Sequence, residues 1–319
     1  MDNGSEDGSA VRALASFPGV ILHRLPTNAG LSAARNVGLR RAATELVLFV
    51  DHDIYLEPEC LERLDTARRE RDATAACPRI RLHPEREIVQ AEGADLHFIG
   101  ALALRHGFRM HTDLVPAAPA SVGAMPGGCM LVHRERVLEA GGFEELIFFY
   151  FEDLEFSFRL RSLGHDFVAV PDAEVFHDRG AGSPGLAFRG RGLYPAARLR
   201  LTLRHRLFVL LVHYQIRTLV VLAPVLIVYE AASLALACQR RLPREWARAW
   251  AWQFQNLPAI RERRQKMQHA RMRPDRELLT GGPLPLAPGL ITSPLGAAGV
   301  RLFSELLNRY WRLVRRMVG

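Results

Sequence analysis

Lysine is nearly missing from this 319-residue chain. Lys266 is the sole one, and arginine supplies the rest of the 42 basic residues. Against 34 acidic residues they leave a formal net charge of +8 and a pI near 9.9. Because one residue type carries the excess, its placement says more than its size. Acidic residues are interleaved with arginine in the first half, whereas arginine dominates from Arg189 onward. That asymmetry points to anionic lipid headgroups or nucleic acid as partners of the C-terminal half. Cysteine is scarce too: Cys60, Cys77, Cys129 and Cys238 are far apart and form no C-x-x-C pair. Their spacing argues against a zinc site or a disulfide framework and fits a reducing cytosol. No cationic-then-apolar leader, low-complexity tract or internal repeat is visible. With 49% hydrophobic and 24% charged residues the chain is not a disordered one. Its length suits one domain plus an appendage.

What is present alternates between strand and helix. The opening "MDNGSEDGSAVRAL" is a run of turn formers that passes into a helical pattern at Val11, Leu14 and Ala15. Asp7 or Ser9 is the expected N-cap. Such a turn ordinarily follows a strand, yet Met1 is the first residue. "GVILHRL" (19–25) reads as a short strand and "NAGLSAARNVGLRRAA" as a helix with apolar steps of three and four. Leu46 to Val50 is an apolar run expected as a buried parallel strand, and it breaks into acid residues. "EPECLERLDTARRERD" reads as a helix opened by Pro58. Residues 74–119 loosen into short strands and read as a variable insertion. Then follow a strand (Cys129 to Val132), a helix, and the stop Gly141-Gly142. A helix from about Glu152 to Leu163, a strand near Phe167 to Val170 and a "GAGSPG" linker (180–185) complete the pattern. This alternation predicts an α/β fold with a mostly parallel sheet.

Four segments carry possible chemistry. Asp51 and Asp53 stand at the carboxyl end of a strand, where ligands of α/β sheets sit. Two carboxylates there suit a hard divalent cation that also takes phosphate oxygens, or form a solvated turn. Glu152 and Asp153 start a helix after an aromatic loop, where the helix dipole tolerates negative charge. A carboxylate in such a loop can act as general base toward a hydroxyl; the plainer reading is ordinary helix-end charge. Gly127-Gly128 lets backbone approach a ligand, or simply turns the chain. His177 is a metal ligand or a structural histidine.

In order and type these segments resemble the family 2 glycosyltransferases, inverting sugar-nucleotide enzymes with a Rossmann-like GT-A fold. The resemblance spans roughly residues 2–180. It rests on "DNGSEDGS", "NAGLSAARNVGLRRA", "LVLFVDHD", "GGCMLVHRERVLEAGGFEE", "FFYFEDLEFSFRLRSLG" and "VPDAEVFH". It implies that Asp2 meets the nucleotide base and that Asn28, Gly30, Arg35 and Asn36 line the nucleotide pocket. Asp51 and Asp53 would bind the diphosphate and a divalent cation, Mn2+ or Mg2+, with His177 completing the metal shell. Asp153 would be the base, with Glu152 beside it, and Gly127-Gly128 would belong to the loop facing donor sugar and acceptor. In the family a strand and helix with a V-V-I-P-x-Y-N-like start precede "DNGS". The expected fold is therefore a GT-A α/β sheet lacking its first strand, from a start codon assigned too late or from a truncated paralogue. The Q-x-x-R-W signature of the family's processive synthases is absent, which favours transfer of a single hexosyl or deoxyhexosyl residue.

The C-terminal half is expected to be all-helical and membrane-associated. Thr218 to Cys238 is long and apolar enough for a span. Arg217, Pro224 and Glu230, with basic clusters at Arg198 to Arg206 and Arg240 to Arg248, argue against one. Two shorter helices bent near Pro224 and shallow in the cytoplasmic leaflet satisfy both flanks; a buried hairpin of a soluble domain is the alternative. "LPAIRERRQKMQHARMRPDRELL" reads as a basic helix at a headgroup surface. The tail places Leu302, Leu306, Tyr310, Leu313 and Met317 on one helix face and Arg309, Arg312 and Arg316 on another, an interfacial pattern. No nucleic-acid motif accompanies the charge, so no nucleic-acid partner is expected. The expected division is a catalytic domain (1–185), a helical membrane-associated region (186–280), and a loop with a basic amphipathic helix (281–319). The expected activity is metal-dependent transfer of one sugar from a nucleotide-sugar to a lipid-linked or cell-surface polysaccharide acceptor. Its expected place is the cytoplasmic face of the inner or plasma membrane. A second reading is a catalytically impaired homologue serving as a membrane-bound assembly partner. A nucleotidyltransferase would need a glycine-rich opening motif that is not seen.

Overall fold

The computed structural model describes residues 1–115, 117–178 and 194–319; the expected linker at 180–185 lies outside them. Two helices open the chain, α1 (Ser9–Ser16) and α2 (Leu31–Arg41). Gly8 (φ 74°) caps α1, while Asp7 Oδ1 accepts from Ser9 N at 2.9 Å. "GVILHRL" is not a strand: only Arg24 bridges Asp2, through Asp2 N to His23 O and Leu25 N to Asp2 O, both 2.8 Å. Val20 and Ile21 are exposed. Their β-branched pattern finds no neighbouring strand among the described residues, and propensity alone does not make one.

The α/β domain continues through β1 (Leu46–Val50), β2 (Ile54–Leu56), α3 (Cys60–Glu70), β3 (Ala75–His83), β4 (Ile88–Glu92), β5 (Ala94–His97) and β6 (Ala101–Leu104). It is completed by β7 (Arg109–Met110), β8 (Ala120–Val122), β9 (Cys129–His133), α4 (Arg134–Glu139), α5 (Glu152–Ser162) and β10 (Phe167–Asp178). The main sheet has the order β1-β9-β3-β10-β2, with β4, β7 and β8 attached at its sides. The α/β class is as expected, but the sheet is mixed. Within it only β3 and β10 run parallel; β1–β9, β9–β3 and β10–β2 are antiparallel. An apolar run reports burial and not strand direction, so β1, taken from sequence as a parallel strand, proves an antiparallel one at the end of the order.

Residues 74–119 correct the expectation of a variable insertion. β3 is a nine-residue strand in the middle of the sheet, buried over most of its length. Arg79 and Arg81 disguise it, and both are neutralised: Arg79 Nη2 lies 2.6 Å from Glu92 Oε2, and Arg81 Nη1 2.8 Å from Glu174 Oε2. Pro78 is opposite Val170, where the β3–β10 register shifts. A strand proline is tolerated at such an irregularity. The shift also lets β10 run on to Asp178, well past the expected Val170, and brings His177 opposite Ile54.

Beyond this domain come α6 (Ala196–His213), α7 (Ile216–Gln239), α8 (Pro243–Gln255), α9 (Leu257–Ala270), α10 (Asp275–Leu278), β11 (Leu279–Thr280) and α11 (Pro294–Val314). α7 is one 24-residue helix running through Pro224, not two shorter ones. The region is not purely helical either, because β11 pairs parallel with β5 in a second, three-stranded sheet. One apolar core joins Phe98, Ile147, Leu154 and Phe158 to Phe208, Tyr214, Leu222 and Trp311. The Phe98 and Trp311 rings stack at 5.0 Å with planes 3° apart. Trp311→Ala is therefore expected to destabilise the whole chain by about 3–5 kcal/mol, seen as a lower urea midpoint of the full-length protein.

Candidate active site

The site is assembled around one buried guanidinium. Arg35 projects from α2, whose N-cap Gly30 (φ 93°) leaves no room for a side chain: a Cβ would stand 2.7 Å from the Phe148 ring. Arg35 Nη2 donates to Asp51 Oδ1 at 3.1 Å and to Gly127 O at 2.6 Å, and its Nη1 lies 3.5 Å from Glu152 Oε1. Its guanidinium carbon sits 5.4 Å from the Phe143 ring centroid and 5.9 Å from that of Phe49. One cation thus ties together α2, the end of β1, the Gly127 turn and the start of α5.

Gly127 and Gly128 are glycines because these parts approach so closely. A Cβ on Gly127 would lie 3.2 Å from Glu152 Oε1 and 3.4 Å from Arg35 Nη1; one on Gly128 would lie 2.9 Å from Ile54 Cδ1. Gly127 N donates to Asp153 Oδ2 at 3.1 Å, Leu154 N donates to Asp153 Oδ1 at 2.8 Å, and Asp51 N donates to Gly128 O at 2.9 Å. Asp51 and Asp153 are fixed on neighbouring residues of one turn.

The loop before α5 is strained. Tyr150 and Phe151 have φ of 65° and 67°, an unusual conformation for bulky side chains that clusters at functional sites. α6 holds it in place. Tyr150 O is 2.8 Å from His205 Nδ1, and Arg198 reaches the Tyr150 hydroxyl at 3.3 Å. Burial, and then the neighbouring Arg204, push His205 down to about 3. The imidazole is thus neutral, donating through Nδ1 to Tyr150 O and accepting from Arg204 Nη2 at Nε2, 2.8 Å away.

The carboxylates differ by environment. Burial raises Asp51, with Arg35 opposing it. Burial likewise raises Glu152 and Asp153, and Asp153 pushes Glu152 further. Asp53 goes the other way: burial is outweighed by the hydrogen bond and charge of His177, which hold it below the usual range. His177 Nε2 lies 3.3 Å from Asp53 Oδ2, and its Nδ1 is 2.7 Å from Gln90 Oε1. With Gln90 Oε1 accepting from Nδ1–H, the hydrogen bond to Asp53 belongs to the doubly protonated ring, whereas the neutral ring turns its Nε2 lone pair toward Asp53. Among the described residues no three His, Cys, Asp or Glu side chains converge to hold a metal. The structure pairs Asp53 with His177 and gives Asp51 to Arg35.

The other sequence-derived residues form a neighbouring turn. Buried Asp2 accepts from Ser5 N at 2.9 Å and faces Arg24 Nε at 3.2 Å; the Ser5 hydrogen bonds lower it. Asn28 Oδ1 accepts from Gly30 N and from Asn3 Nδ2, each at 3.0 Å, which fixes the entrance to α2. Asn36 uses its whole amide inward: Nδ2 donates to Phe143 O (2.9 Å) and Glu145 Oε1 (2.8 Å), and Oδ1 accepts from Phe143 N (2.7 Å). It braces the loop before α5 and does not line an open pocket. Sequence reasoning missed Gln90, which fell in the supposed insertion, and Arg198 and His205, which fell in the supposed membrane region. None carries a local signal of its partner.

Residues 1–135 match the sequence model for glycosyl transferase family 2. The N-terminal part of the chain is thus similar to glycosyl transferase family 2. Over 201 residues it is 29% identical to an N-acetylglucosaminyl-diphospho-decaprenol L-rhamnosyltransferase of Mycobacterium tuberculosis, covering 56% of this chain and 65% of that protein. Over 170 residues it is 30% identical to N-acetylgalactosaminyltransferase 6 of Drosophila melanogaster, covering 50% of this chain and 25% of that one. The chain thus spans less than two thirds of the length of either relative. A crystal structure of GalNAc-T7 with UDP, GalNAc and Mn2+ superposes with a TM-score of 0.49 at 19% identity, over 65% of this chain and 39% of the other.

The raised Glu152 has a consequence for stability. The folded chain keeps that proton to higher pH than the unfolded chain does. Its contribution is therefore fully present below the ordinary carboxylate range and is lost as pH climbs through the raised value. Glu152→Gln is expected to raise the thermal midpoint by a few degrees at neutral pH and to lose that advantage near about pH 4, measured by calorimetry at both pH values.

Proposed function

We propose that this chain is a metal-dependent, inverting glycosyltransferase that moves one sugar from a nucleotide-sugar to a lipid-linked or surface-polysaccharide acceptor at the cytoplasmic face of the membrane. One observation carries the reading. In a chain whose residues 1–135 match the family 2 model, Arg35 and the Gly127-Gly128 turn hold the strand-end Asp51 and the helix-start Asp153 on one turn. Similarity to the mycobacterial rhamnosyltransferase supports a diphospho-polyprenol acceptor and a deoxyhexosyl donor. Residues 1–185 are the proposed catalytic domain, 186–280 the membrane-associated region and 281–319 the loop and terminal helix.

Asp153 is the proposed base. A carboxylate raised by burial is better matched to abstracting a hydroxyl proton near neutral pH than a solvated one. It takes the acceptor hydroxyl proton while that oxygen bonds to the anomeric carbon and the bond from that carbon to the diphosphate oxygen breaks. Attack opposite the leaving group inverts the centre. Gly127 N and Leu154 N keep the base oriented, and Arg35, which Glu152 and Asp51 also face, offsets the charge of the cluster. The turn of Asp2, Asn28 and Gly30 is the proposed nucleotide end of the site, with Asn36 bracing it from behind.

Asp53 and His177 fit a divalent cation. Their facing atoms are 3.3 Å apart, close to the ~3 Å expected of adjacent ligands at Mg2+-like bond lengths, and Gln90 fixes the tautomer that coordination needs. Diphosphate oxygens, with Asp51 at hand, would complete the shell; when bound, such a cation offsets the negative charge of the departing diphosphate.

Two variants test the assignment. Asp153→Asn is expected to lower nucleotide diphosphate release by about 10²–10⁴-fold with donor affinity retained; unchanged turnover removes Asp153 as the base. Asp53→Ala is expected to abolish Mn2+-dependent nucleotide binding in calorimetry while the unfolding midpoint stays near that of the parent. Equal Mn2+ and nucleotide binding in both proteins would move the metal elsewhere.

A further inference from the structure

α7 has two unlike sides. Its outward side carries Ile216, Val220, Pro224, Ile227, Ala231 and Ala235, all exposed and spaced by three and four so that they lie along one face. Ile216, Val220 and Ile227 are 63%, 67% and 67% exposed. The stripe extends over a helix of 24 residues, or about 36 Å. No described residue covers it. A continuous apolar face of that length is larger than a monomer in water ordinarily leaves open.

α11 repeats the pattern. Leu295, Leu302, Leu306 and Leu313, with Met317 just beyond the helix end, follow steps of seven and four and are all exposed. The opposite side of that helix, with Leu307 and Trp311, is packed into the core. Tyr310, at the border of the exposed stripe, donates its hydroxyl to Val221 O at 2.7 Å, and Val221 borders the stripe on α7. One turn earlier on α7, Thr218 Oγ1 accepts from Gly319 N at 3.3 Å. Both contacts join the first turns of α7 to the C-terminal end of α11, so the two helices meet there.

The rim of the two stripes is cationic. Arg217 on α7 and Arg309, Arg312, Arg315 and Arg316 at the end of α11 are exposed. Glu305 pairs with both Arg309 (3.2 Å) and Arg312 (2.8 Å), so one acid answers several arginines and a positive excess remains.

The inward side of α7 is tied to protein by polar contacts. Glu230 forms an ion pair with Arg206 of α6, whose side chain is 2% exposed, and Glu230 Oε2 accepts from Trp250 Nε1 at 3.3 Å. Arg206 Nε donates in turn to Ile99 O at 2.7 Å, and Ser233 Oγ accepts from Trp246 Nε1 at 3.1 Å. For α7 to cross a bilayer, this pair would have to enter hydrocarbon with α6 and α8, or come apart and leave a charge unpaired.

We propose that α7 and α11 together form a docking face that lies flat on an anionic lipid bilayer, with α7 in the membrane plane and not across it. The apolar stripes enter the headgroup–acyl boundary and the arginine rim meets the lipid phosphates. A second copy is the poorer occupant, because it would bring two cationic rims together. This inference deepens the membrane location in the proposed function, and its test uses neither donor nor acceptor, so its failure leaves the sugar-transfer reading to its own assay.

The test is flotation of the full chain with phosphatidylcholine vesicles, with and without phosphatidylglycerol. Binding is expected with the anionic vesicles, weakening as salt rises. Val220→Glu with Ile227→Glu, both at exposed positions, is expected to abolish flotation with the unfolding midpoint unchanged. Arg312→Ala and Arg316→Ala are each expected to weaken binding about fivefold. A label at the middle of α7, on Ile227→Cys with Cys238→Ser, supplies a second readout, since Ile227 is exposed while Cys60, Cys77 and Cys129 are buried. A fluorophore there should be quenched by lipids labelled near the headgroup and not by lipids labelled near the bilayer centre. The proposal is overturned by absence of flotation, by equal binding to neutral vesicles, or by quenching from the bilayer centre, which would mean a span. Concentration-dependent dimerisation that shields this label without lipid would overturn it in favour of a second copy.

Discussion

A buried guanidinium is costly unless it is neutralised, and Arg35 draws partners from three directions, although its Nη1 has no hydrogen bond. Its acceptors are the Asp51 carboxylate and the Gly127 carbonyl, with Glu152 close by, on the end of β1, the turn before β9 and the start of α5. Remove the cation and three carboxylates, Asp51, Glu152 and Asp153, face one another around a glycine turn with no counter-charge among them. Keep it, and they are tolerated but not all comfortably ionised, which is why burial can lift all three above their ordinary values. The same arrangement explains the two glycines. Parts drawn this close by charge leave no space for a Cβ.

α5 shows how sharply local surroundings separate like groups. Glu152 and Glu155 are three residues apart and both buried. Glu155 is held down to about 2, against its burial, by Arg159 and His213, which contact it at 2.9 Å and 3.1 Å. Glu152 has only a shared and more distant arginine, and it rises. One helix therefore carries a permanently charged anchor on the side facing α6 and a titrating pair at its start. Carboxylates whose environments pull them apart in this way are suited to separate tasks.

The sequence made much of this legible where the signal is local. The helix periodicity of α2, the apolar run of β1, the Gly141-Gly142 stop after α4 and the acid start of α5 all lie where their residues indicate. What stayed hidden depends on partners far along the chain. β3 looks too charged for a central strand until Glu92 and Glu174 are seen beside Arg79 and Arg81. "GVIL" looks like a strand and is not, because pairing makes a strand and its neighbours do not supply it. Pro224 looked like a break; a proline inside a helix costs about 3 kcal/mol, which the packing of α7 against α8 and α11 offsets. His177 was visible as a candidate ligand, but its orientation comes from Gln90, 87 residues earlier.

The most distant of these couplings passes through two adjacent residues of α6. His205 holds the carbonyl of Tyr150, and with it the strained backbone that leads into Glu152 and Asp153. Arg206 holds Glu230 on the inward side of α7. Consecutive side chains of a helix point in directions about 100° apart, so one turn of α6 can grip the loop before α5 on one side and the outward-facing apolar helix on the other. Arg206 also donates to Ile99 O, in the segment between β5 and β6, so the same turn is locked to the sheet domain. The helical region is thus part of what shapes the site: a strained aromatic pair stays at positive φ only while surrounding structure over-determines it, and here that structure is α6. Charge pairing at Arg35 fixes the carboxylates from within the sheet domain, and hydrogen bonding at His205 fixes the loop from outside it.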